Sequence, residues 1–126
     1  MNDLHWLTIK QASEEIQSGT LSPVEYTEAL ISRTEQLDSK LNAYIKFTPE
    51  RALADAKRAE ELILKNKSIK PMTGIPYGLK DIIDVVGFDT TAHSKILLDN
   101  KPTTNAYVTD KFDSSGGILM GKLALH

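Results

Sequence analysis

The sequence predicts an α/β fold, in which N-terminal helices pack on part of a mixed β-sheet. Three observations lead there. Before residue 70, two capping-box patterns, Thr8/Gln11 and Ser22/Glu25, each precede a run with helical apolar spacing. Ile75 to Lys80 is a short apolar stretch bounded by glycine and proline, the pattern of a strand. Ile118-Leu119-Met120 is a continuous apolar run, the pattern of a strand buried on both faces, and a helical stretch precedes it. Strand, helix, strand in that order implies a parallel pair joined by a crossover.

The elements follow in order. Gly19 is placed to end the first helix, whose apolar stripe is Ile9, Ala12 and Ile16. Trp6 is expected to cover that helix. The second helix starts with Pro23 at the favoured first position and carries Val24, Tyr26, Leu30, Ile31 and Leu37 on one side. Leu41 to Phe47 reads as an extended connector anchored by Tyr44, Ile45 and Phe47. Thr48-Pro49 opens a third helix to about Lys65, with Ala52, Ala56, Ala59 and Ile63 on a face small enough for close approach. Lys57/Glu61 and Glu61/Lys65 are spaced to pair on its solvated side. Residues 66–70 form a polar linker. Val85-Val86-Gly87 reads as a short extended piece ending in a turn, and Thr104 or Asn105 as the cap of a fourth helix with Val108 and Phe112 inward and Gly116-Gly117 as its stop. The division is one domain portion over residues 1–126, with 1–70 a helical layer and 71–126 the start of the sheet core.

Composition narrows the function classes. The chain has 126 residues, 40% of them hydrophobic and 25% charged, within the range of an ordinary soluble domain. A formal net charge of −2 gives no electrostatic footprint for nucleic acid. With no cysteine, neither disulfides nor thiolate metal sites can form, which suits a reducing compartment. No apolar run approaches the roughly 18 residues of a membrane helix, and the first residues lack the pattern of a signal peptide. A cytoplasmic location is the expectation. His5, His93 and His126 are scattered and without a carboxylate cluster, so no metal or other cofactor is expected.

One segment carries the chemistry. Pro71 to Asp81 sets Lys80 at the end of an apolar run and follows it with Ile82 and Ile83. Lysine is seldom drawn into such surroundings without a partner or a purpose. An amine removed from water loses its preference for charge and becomes a usable proton acceptor near neutral pH. The sequence therefore marks Lys80 as the candidate base and expects it to be buried. Asp81 is either a charge partner that fixes that amine or a turn residue.

The order Pro71, Gly74, Ile75, Pro76, Lys80, Asp81, Gly87, Thr90, Thr91, Ser94, Leu97, Gly117, Gly121, Lys122 resembles the amidase signature family. The likeness runs from about Thr8 to His126 and is sharp from Pro71 onward. Two departures stand out: His93 where the family usually has Gly, and Asn105 where Asp is common. The resemblance implies an amidase-signature α/β/α fold and hydrolysis of a carboxylic amide by a Ser–cis-Ser–Lys triad, with Lys80 as its lysine. It also implies that the relay serine and the nucleophile lie downstream of the Gly-Lys segment. The chain is thus expected to be the N-terminal portion of an amidase, holding the base without the nucleophile and inactive alone. The implied partner is a small-molecule amide. Alternatives are the A subunit of the tRNA-dependent glutamine amidotransferase, whose partners would be the other chains of that complex, or a non-catalytic piece.

Two competing motifs fail on physical grounds. Ser114-Ser115-Gly116-Gly117 falls where a helix must end, so it reads as a terminator and not as a nucleophile loop. Gly116 to Lys122 has the glycines and lysine of a phosphate loop, but Leu123 replaces the magnesium-binding hydroxyl and a helix precedes it where a strand should. The apolar strand at Ile118 to Met120 is expected to lie at an open sheet edge and leave the chain poorly stable.

Overall fold

A computed structural model describes residues 3–126. A 3-10 turn over Leu4–Trp6 leads into α1 (Ile9–Gln17) and α2 (Pro23–Leu41). β1 (Tyr44–Phe47) and α3 (Pro49–Lys65) follow, then β2 (Pro76–Lys80), a second 3-10 turn (Lys95–Leu97), α4 (Tyr107–Ser114) and β3 (Ile118–Leu123). The three strands form one mixed sheet in the order β1-β3-β2, with β3 antiparallel to β1 and parallel to β2. No helix among the described residues is long and apolar enough to cross a membrane.

The helix boundaries follow local chemistry. Thr8 and Gln11 close a reciprocal capping box on α1. Only the serine half of the second pattern forms: Ser22 Oγ accepts from the Val24 and Glu25 amides and donates to Glu60 on α3. Gly19 follows α1 at φ +81°, a left-handed position that suits glycine. Ala52, Ala56 and Ala59 of α3 are fully or almost fully buried, as their spacing requires. That helix brings Ala52 and Ala56 against Ile31 of α2 and Ile118 and Met120 of β3. Within it the ion pairs are Arg51–Asp55 and Arg58–Asp55 in place of the expected Lys57/Glu61/Lys65 ladder, and Arg51 also reaches Asp113 of α4.

Several sequence expectations are corrected. The connector at Tyr44–Phe47 is a strand, and it takes one side of β3 while β2 takes the other. β3 is therefore the central strand and not an open edge; Ile118 and Leu119 are fully buried. The residues around Val85 and Val86 are not extended strand but lead into a turn. Ala106 caps α4, because Asn105 is engaged elsewhere: its Oδ1 accepts from the Val86 amide at 2.7 Å. Val108 faces outward and Thr109 takes the inward position. Ile9 and Trp6 are exposed at 63% and 72%; Trp6 stands under the Arg33 guanidinium of α2, and Leu4 and Leu7 pack against the buried face of α1 in its place.

β3 carries a bulge that shapes the sheet. Tyr77 pairs with Leu119 and Gly78 with Gly121, so Met120 is the extra residue against β2. At Gly121 the strands approach so closely that a Cβ would sit 2.5 Å from the Lys46 carbonyl oxygen, which only glycine avoids. Beside the bulge the Leu119 amide donates to Asp55 Oδ2 at 3.1 Å. The buried Asp55 carboxylate thus ties α3 to the central strand.

Candidate functional site

The site lies at the C-terminal end of β2. In parallel sheets this end faces the loops that carry chemistry, since the crossover returns there. Gly78 of β2 leaves room for Leu123, which pairs with Lys80 across the parallel ladder. Along β2 the side chains alternate, so Leu79 enters the core and Lys80 points away from it.

Lys80 is exposed in this structure, whereas the sequence led us to expect burial. The cause is its place at the last position of an edge strand, on the face opposite Leu79. The lysine that is buried is Lys122 of β3, at 0% exposure. Its Nζ lies 2.6 Å from Asp81 Oδ1, and Asp81 is itself only 1% exposed. Asp81 is therefore the partner of Lys122 across the sheet and not a tether for the amine beside it.

Four hydrogen bonds hold Asp81 beside that ion pair. Its amide donates to the Leu123 carbonyl at 3.1 Å, and its own carbonyl accepts from the Ala92 amide at 2.9 Å. Its Oδ2 accepts from the Thr91 amide at 3.1 Å and the Thr91 hydroxyl at 2.5 Å. Lys122 Nζ also donates to the Asp89 carbonyl at 3.3 Å. Charge-assisted bonds of this kind are the strong ones. They fasten the segment 87–92 to the end of the sheet.

The neighbouring loop is bolted in the same manner. Thr90 Oγ1 donates to Asp84 Oδ1 at 2.7 Å, and Thr109 Oγ1 donates to the Asp84 carbonyl at 2.8 Å, which brings α4 to the same point. Gly87 turns the chain at φ +97°. His93 sits at φ +60°, in the left-handed region where histidine is tolerated better than most side chains. Glycine, which the family resemblance leads one to expect here, takes that conformation without strain. The His93 ring Nδ1 meets the Leu125 carbonyl at 2.9 Å, a contact glycine would lack.

The motif residues thus divide. Lys80, Asp81, Thr90, Thr91 and Lys122 come together at one end of the sheet. Ser94 caps the second 3-10 turn through the Ile96 amide. Ser115 and Gly116 close the C-terminus of α4, as a terminator should, with Gly116 at φ +81°. The Lys122–Asp81 pair was missed from sequence, although a signal existed: a lysine continuing a doubly buried apolar run needs a carboxylate partner.

A family model described as Amidase matches residues 25–126. The A subunit of glutamyl-tRNA(Gln) amidotransferase from Chloroflexus aggregans is 39% identical over 123 residues, covering 98% of this chain and 25% of the relative. The same enzyme's A subunit from Dehalococcoides mccartyi is 42% identical over 122 residues, covering 97% and 25%. Among solved structures, the native peptide amidase from Stenotrophomonas maltophilia aligns with TM-score 0.90 and 26% identity, across 98% of this chain and 26% of that one. The chain spans about a quarter of the length of the relatives it matches.

Proposed function

Because this chain belongs to the amidase-signature family, we propose that it forms the lysine-bearing portion of an enzyme that hydrolyses a carboxylic amide C–N bond. Lys80 is the general base in this reading. A serine hydroxyl attacks an amide carbonyl only when its proton has somewhere to go. An uncharged lysine amine accepts that proton, relayed through a second serine. The proton then passes to the departing nitrogen as the C–N bond breaks, and water releases the acyl group from the serine ester. Both serines belong to sequence outside residues 1–126, so this chain alone is expected to hydrolyse no amide.

The observation that carries the proposal is the setting of Lys80. It stands at the end of a parallel strand, next to the hydrogen-bonded Asp81–Thr91 junction, and its exposed amine is open to a further segment that would take it out of water as a working base requires. The test is Lys80→Ala in a protein of the relatives' full length. Loss of a general base predicts a fall in kcat/KM of at least about 100-fold with an unchanged melting curve. Unaltered turnover would overturn the assignment.

A second reading is favoured by the curated relatives. Identities of 39% and 42% to amidotransferase A subunits exceed the 26% to the peptide amidase. Under this reading the amide is glutamine, the product ammonia is handed onward, and other amidotransferase subunits are the partners. Ammonia release from glutamine that depends on added partner subunits would favour it; release from simple amides without them would favour the free-standing hydrolase. A cytoplasmic location accords with either.

A further inference from the structure

A lysine that works as a base must be uncharged, and a carboxylate beside an amine favours the charged form. Asp81 follows Lys80 directly, which sets those two requirements against each other. The structure resolves the conflict by geometry. Lys80 is exposed, while the Asp81 side chain turns into the protein and meets Lys122 Nζ at 2.6 Å. The second carboxylate oxygen is filled by Thr91.

Stability does not explain this arrangement by itself. Two charges taken fully out of water contribute no more, as a rule, than a well-packed apolar pair of the same volume. We infer that Lys122 is a positioning residue for Lys80: it neutralises Asp81 and holds its carboxylate on the inner side of the strand end, which keeps the neighbouring amine out of an ion pair with it. The inference rests on the reading of Lys80 as a base. Of the other titratable groups at this end of the sheet, Asp84, Asp89 and His93 have partners of their own, and Lys46 of β1 stands in register with Lys122. Thr90 occupies Asp84, Lys101 pairs with Asp89, and the Leu125 carbonyl meets His93. His126 lies three residues beyond Leu123, the ladder partner of Lys80.

The test reads the amine itself, in this chain, by acetylation with a succinimidyl ester. The reaction is run at low ionic strength and about pH 8, where the unprotonated fraction of an amine limits its rate. Peptide mass spectrometry compares Lys80 with the exposed Lys10 and Lys57 as references. Lys122→Met leaves Asp81 uncompensated, and the relative rate at Lys80 is expected to fall at least about threefold. The double variant Asp81→Asn/Lys122→Met is expected to restore it. An unchanged rate in Lys122→Met, or no recovery in the double variant, would overturn the inference. Should Lys122→Met fail to fold by circular dichroism, Asp81→Asn decides: Lys122 is then unbalanced and Lys80 should react faster, so an unaltered rate there overturns it equally. A pair that served structure alone would lower the melting temperature of each single variant and leave the relative rate of Lys80 where it was. Because no turnover is measured, failure here is distinct from failure of Lys80 as a base in the longer protein.

Discussion

Lys122 and Asp81 show how two residues that would each be costly to bury become tolerable together. Both are shielded from water, so the attraction between them is little screened. Removing one leaves the other as an uncompensated internal charge. Asp81→Ala is therefore expected to lower unfolding free energy by about 3–5 kcal/mol in urea titrations, while Asp81→Asn/Lys122→Met costs less than the sum of its single changes. Asp55 is a second buried carboxylate with a defined task. Its Oδ2 accepts the Leu119 amide while Arg51 engages both oxygens. Asp55→Ala orphans that amide inside the core and is expected to cost about 1–3 kcal/mol in the same titration.

At the scale of the element, local chemistry set the helices and long-range pairing set the strands. Thr8 and Ser22 cap their helices as their spacing demands, but they differ in what else they touch. Ser22 also donates to Glu60 of α3, whereas the Thr8 bonds stay within α1. Thr8→Ala is expected to cost about 1 kcal/mol and Ser22→Ala to fall at the upper end of the roughly 0.5–2 kcal/mol range for lost caps, a difference measurable by denaturant midpoints. The fourth helix went the other way. Asn105 has the chemistry of a cap, yet its side chain holds the Val86 amide and Asp110, so Ala106 begins the helix without a side-chain bond. No rule confined to neighbouring residues could have chosen between those uses.

For the whole molecule, the sheet joins three apolar clusters. One lies between α1, α2 and Ile75, one between α2, α3 and β3, and one around Leu79, Val85 and Leu119. Tyr26, Tyr44 and Tyr77 sit at these junctions, and burial raises each phenol above its ordinary value of 10.0. Tyr77 is raised most, by burial first and then by the Asp113 carboxylate beside it. A group whose value is higher in the folded state favours folding fully below its unfolded value. That contribution is lost as pH rises above 10.0 and the unfolded chain ionises first. Melting temperature is therefore expected to drop on the alkaline side of pH 10.0, and Tyr77→Phe to make that drop shallower while leaving the neutral-pH melt little changed.

By itself the sequence determined the α/β class, the first three helices with the Thr8 and Ser22 caps, the parallel pairing of β2 with β3 and the family to which the chain belongs. Each of these depends on nearby residues or on a fixed order of motif positions. Tertiary structure alone decided that Tyr44–Phe47 is a strand, that β3 is central, that Lys80 is exposed and that Lys122 is the buried lysine. Those outcomes turn on which segments meet across the sheet. Asp81 and Lys122 are separated in the chain by a whole crossover, and only the parallel ladder brings their charges within 2.6 Å.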